Sequence, residues 1–185
     1  MGRRGRATAA AAVAGLVVAA VLVALAWPVR PVLRLSHGED VLADLSLPDD
    51  VFTIRYVHSI DRLPIEEDVQ VTGDRLVVQT TRVRQFGAGM GQIAGEGRGY
   101  ADPPWWVVTD LHRDIGTELL LRVGASGVDH RVRTADGTEL ALSQCWAGER
   151  IRISVERVPL LAPPQHHQRH PAPCRPDRLD REATP

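Results

Sequence analysis

The chain has 185 residues, room for one domain with appendages, and a formal net charge of −1. That balance supplies no basic field for nucleic acid, and the aromatic and arginine pattern of an RNA-binding sheet is missing. All 22 basic side chains are arginine, which excludes lysine chemistry: no Schiff base and no phosphate-binding P-loop.

Residues 7–27 carry no charge and follow Arg3, Arg4 and Arg6. A helix of about 20 apolar residues suits a hydrocarbon core of roughly 30 Å, and Val13, Leu16, Val17, Val18, Val21, Leu22, Val23 and Leu25 supply the insertion signal. Trp27 suits the interface and Pro28 stops the helix. The arginines hold the N-terminus in the cytoplasm, so the rest of the chain is expected outside. A cleaved signal peptide is the alternative, because Ala24 and Ala26 form a small-x-small site; the length favours an uncleaved single-pass anchor over residues 1–27.

Residues 32–37 read as a short strand, and a polar stretch to Asp50 turns the chain. Residues 52–59 then alternate, with Phe52, Ile54, Tyr56 and His58 on one face and Thr53, Arg55, Val57 and Ser59 on the other. The chain turns over residues 60–63. Ile65, Glu67, Val69 and Val71 repeat the pattern on the way back, with Glu66 and Asp68 on the outward, solvated side. His58 and Glu67 are therefore expected together at one edge of the core, where a carboxylate would fix the imidazole's tautomer. A structural ion pair is the plainer explanation for the same two residues. Gly73 and Asp74 mark a second tight turn before the strand over residues 76–83.

A glycine-rich passage opens at Phe86, Gly87, Ala88, Gly89 and Met90 and runs to Pro103 and Pro104. It lacks the spacing of a nucleotide-binding loop; its glycines permit a bulged turn or a small anion nest. Trp105 and Trp106 resume a strand, one ring on each face. Residues 118–123, 128–134, 138–145 and 150–158 read as an antiparallel meander with one apolar face. No amphipathic helix intervenes, so the fold class is all-β: an antiparallel sandwich or partly closed barrel of about nine strands over residues 32–158, preceded by one transmembrane or signal helix. Residues 159–185 are a proline-, histidine- and arginine-rich tail without period, read as disordered. The chain has two cysteines, Cys145 on an expected strand and Cys174 in the tail; the expectation is against a bridge between them.

His58 and Ser59 point to opposite faces, which removes the serine-hydrolase reading, and no nucleophile elbow exists elsewhere. His58, Glu67, Asp110, His112 and His130 lack metal-ligand spacing, so neither metal nor cofactor is expected. The candidate functional pair is His58 and Glu67. The candidate binding loop comprises Tyr56, Ser59, Pro64, Phe86, Gly87, Ala88 and Gly89.

Tyr56-x-His58-Ser59-Ile60-x-x-x-Pro64-Ile65-x-Glu67, followed by the Phe86 to Met90 motif, resembles the bacterial family called domain of unknown function 1850. Its members are small exported or anchored proteins that look to be encoded beside TRAP transporters of the TAXI type. The resemblance implies an accessory role in solute uptake, with a TRAP permease or its solute-binding protein as partner, and implies no enzymatic activity. The readings set beside it are a stand-alone small-ligand or metal-binding module, and an enzyme using His58 as general base.

Overall fold

The computed structural model describes residues 2–84, 96–162 and 177–178. Two compact units divide the chain: residues 1–30 with 157–163, and residues 31–156 with 164–185. The first unit contains helix α1, Gly2–Ala26. Among the described residues, no helix is long and apolar enough to cross a membrane.

The second unit is built from strands. In chain order they are β1 (Pro28–His37), β2 (Asp40–Ser46), β3 (Val51–Val57), β4 (Pro64–Thr72), β5 (Arg75–Val83), β6 (Arg98–Asp102), β7 (Trp105–Thr109), β8 (Arg113–Gly116), β9 (Glu118–Arg122), β10 (Arg131–Thr134), β11 (Thr138–Ala141), β12 (Arg150–Pro159) and β13 (Asp177–Arg178). A short helix α2, Leu142–Cys145, follows β11. One sheet runs β2-β1-β12-β9; the other runs β13-β11-β10-β3-β4-β5-β7-β6, with β8 pairing β5. Every pair with a recorded register is antiparallel. Both sheets stay open, and both contribute to one apolar cluster, which is the arrangement of a sandwich rather than a barrel.

The centre of that cluster is where the alternation put it. Phe52 and Ile54 on β3, Val69 and Val71 on β4, and Leu76 and Val78 on β5 meet Leu33, Leu35, Ile151 and Ile153 of the smaller sheet. The β3–β4 hairpin pairs Val57 with Pro64, Tyr56 with Ile65 and Ile54 with Glu67. A register shift after Asp68 lets β5 keep Leu76, Val78 and Val83 inside despite an odd spacing between them.

The C-terminal half departs from the expected meander. β9 pairs β12 in the small sheet, while β10 joins β3 and β11 in the large one, so consecutive strands divide between sheets. Cys145 sits in α2 rather than on a strand, and it is disulfide-bonded. Three strands fall where the sequence suggested only connection: β2, β6 and β8. The tail is not wholly without structure, because Asp177–Arg178 pairs with Thr138 and Glu139 of β11.

Candidate functional site

Three groups of polar side chains gather on the β3–β4 hairpin: one inside the sandwich, one at the hairpin mouth, one on the outer face of the large sheet.

The inner group is built on Glu67. Strand alternation turns this carboxyl toward the same side as Ile65 and Val69, both buried. Across the ladder stand Ile54 on one side and Thr81 on the other. Burial raises the Glu67 pKa above the ordinary carboxylate value, outweighing the Arg113 charge and the Thr81 hydroxyl, which pull it down. Tyr56, one inward position further along β3, has its phenol pushed up to about 12, first by burial and then by the negative charge of Glu67. Its ring lies 5.5 Å from that of His130, tilted by 38°. Burial thus shifts both the Glu67 carboxyl and the Tyr56 phenol toward their protonated forms.

His130 continues this group. Its Nδ1 accepts the Gly124 N–H at 2.9 Å, so its proton belongs on Nε2. Its own backbone N–H donates to Ser143 Oγ at 2.8 Å, and that hydroxyl donates to the Gly124 carbonyl at 2.8 Å. Burial lowers the His130 pKa against the opposing charge of Asp129. The ring's bond to the Gly124 N–H and the backbone bond to the Ser143 hydroxyl make this residue a structural clamp that joins the segment after β9, the start of β10 and α2.

His58 belongs to the mouth. The loop between β3 and β4 is closed by the His58 N–H on the Leu63 carbonyl at 2.9 Å and the Arg62 N–H on the His58 carbonyl at 3.0 Å. Within it, His58 Nδ1 lies 3.2 Å from Asp61 Oδ2 and accepts the Asp61 N–H at 3.4 Å. The histidine therefore does meet a carboxylate, but that of Asp61 and not of Glu67. Glu67 stands opposite Ile54, and His58 lies four residues beyond Ile54, about 13 Å of extended chain. The register brings the two expected partners to one hairpin without bringing them together. Asp61 was legible as a turn residue three positions after the histidine; nothing in local sequence pointed to Arg113, whose strand β8 reaches the site through its pairing with β5.

The remaining expected residues scatter. Ser59 is exposed and Pro64 opens β4. Phe86, Gly87, Ala88 and Gly89 lie outside the described residues. Two of the residues weighed as metal ligands have other partners: Asp110 pairs with Arg98 at 2.6 Å and His112 Nδ1 meets Gln79 Oε1 at 2.8 Å. Among the described residues, no group of three histidine, cysteine or acidic side chains is placed to hold a metal ion.

On the outer face, Glu66 and Asp68 are not the freely solvated residues that alternation suggested. Their side chains are 14 % and 22 % exposed and stand among the guanidiniums of Arg55, Arg82 and Arg133. Asp68 accepts Thr53 Oγ1 at 2.9 Å and Arg82 Nη2 at 2.7 Å. Neighbouring Arg131 bridges Asp129 and Glu139 at 2.9 and 2.7 Å, so the outward face of β10 is a ladder of ion pairs.

Comparison with curated proteins and with solved structures gives no match. Residues 52–142, which take in nearly all of the β3–β4 hairpin, Glu67 and His130, match the family model described as Domain of unknown function (DUF1850), and this match supports the likeness to that family.

Proposed function

We propose that this chain is an exported, non-enzymatic β-domain that assists a TAXI-type TRAP solute-uptake system by docking on its permease or solute-binding protein. The observation that carries export is the disulfide at Cys145, since such bonds form and persist in oxidising compartments and are rare in the cytosol. The arginines ahead of α1 and the uncharged run within it support the same reading. The accessory role rests on the resemblance of the Tyr56 to Glu67 motif to a family whose members look to be encoded beside TRAP transporters; the family match itself carries no function. The surface offered to the partner is the hairpin mouth, where Ile60 is 70 % exposed beside His58 and Asp61.

Two measurements test this. A C-terminal alkaline phosphatase fusion, active only outside the cytoplasm, is expected to be active, and truncation of residues 1–27 to silence it. Affinity capture of the full chain from cell extracts is expected to recover a TRAP subunit, with recovery reduced at least tenfold by Ile60→Asp. An inactive fusion overturns export; a transporter-free eluate from the parent chain overturns the partnership.

A further inference from the structure

We propose that the outer face of the large sheet holds a binding site for a small zwitterion of the α-amino-acid class, with Arg133 receiving the carboxylate and Glu66 the ammonium. This assignment is independent of export and of any transporter partner.

A cavity of about 400 Å³ opens on that face, lined among others by Thr53, Glu66, Asp68, Arg82, Arg133 and Thr134. Its size lies within the range of small-molecule sites, roughly 300–1,000 Å³. Four of the polar lining groups already have close partners. Asp68 is held by Thr53 and Arg82 at 2.9 and 2.7 Å, and the Thr134 hydroxyl donates to Asp136 Oδ1 at 2.7 Å. Glu66 and Arg133 differ. The Glu66 carboxylate has Arg133 Nη2 at 3.8 Å and Arg55 Nε at 3.9 Å. Both separations exceed the hydrogen-bond range of about 2.7–3.2 Å, although the Glu66 side chain is only 14 % exposed. A carboxylate so far removed from water, with two cations near but none bonded, keeps acceptor capacity for a third donor. Arg133, with its side chain 37 % exposed, can rotate to present its planar fork to a ligand carboxylate.

Charge selects the ligand. Two carboxylates and two guanidiniums line the cavity, so it is neutral overall. A simple anion bound at Arg133 meets Glu66; a simple cation bound at Glu66 meets Arg133. A molecule carrying both charges two bonds apart inserts between them and replaces one long ion pair by two short charge-assisted hydrogen bonds.

The test is calorimetric titration of the full chain with each of the twenty protein L-amino acids, followed by the best binder's deaminated acid and decarboxylated amine. Saturable binding of at least one amino acid is expected, weakened at least tenfold in both analogues. Glu66→Gln and Arg133→Gln are each expected to weaken it at least tenfold, with circular dichroism confirming the fold; Arg133, the more exposed, serves if the first variant does not fold. No heat with any amino acid, equal affinity for either analogue, or unchanged affinity in a folded variant overturns the proposal.

Discussion

Glu67 is a carboxylic acid held among apolar neighbours, and its pKa is raised chiefly because burial disfavours the ionised form. The folded chain therefore keeps this proton at pH values where the unfolded chain has released it. Stability from the group is complete below the ordinary carboxylate range and is lost as pH rises through the raised value. Glu67→Gln supplies a neutral side chain of nearly the same shape, so we expect a higher midpoint of thermal unfolding than the parent at pH 7. The difference should shrink toward pH 4, followed by circular dichroism. A difference that is constant with pH, or larger in acid, would show that the carboxyl is ionised in the fold. His130 works in the opposite sense: its lowered pKa makes its contribution full above the ordinary histidine range and lost as pH falls. Of these two residues, sequence placed Glu67 well and His130 only in outline, because alternation reports which face a side chain takes but not what waits there.

At the scale of elements, the β6–β7 hairpin depends on one glycine. Gly97 has φ of +67°, and a Cβ there would lie 2.5 Å from the Thr109 carbonyl oxygen. Neither the backbone conformation nor the close approach tolerates a side chain. Gly97→Ala should cost about 1–3 kcal/mol, measured by urea denaturation; a loss within experimental error would mean that the hairpin end shifts freely. This glycine belongs to a passage that sequence read as a turn without regular structure, and β6 was missed with it. Its residues, Arg98 to Asp102, are all exposed, so no hydrophobic period announced the strand. β3, β4 and β5 were legible for the converse reason: each has one face in the core, and burial imposes the two-residue repeat. α2 replaced the end of an expected strand, with Leu142 and Ser143 both buried in it.

For the molecule as a whole, the disulfide at Cys145 has the widest consequence. It contradicts the expectation of separate thiols, and it accompanies pairing of Asp177–Arg178 with β11. Cys145→Ser should lower stability by about 2–4 kcal/mol, and reductant should bring the parent to the same unfolding midpoint while leaving the variant unmoved. A variant as stable as the parent under oxidising conditions would show that the bond constrains nothing the fold uses.

What the amino-acid order determined unaided was local: an all-β chain behind a basic and apolar N-terminus, the β3–β4–β5 succession, and the inward or outward sense of the residues along β3 and β4. These follow from sterics and burial acting between near neighbours. What the tertiary structure alone decided was non-local: β10 beside β3, β9 beside β12, Arg113 near Glu67, and His58 turned to Asp61. Strand order and register are set by which distant surfaces bury one another best, and a period of two is the same whichever partner lies alongside.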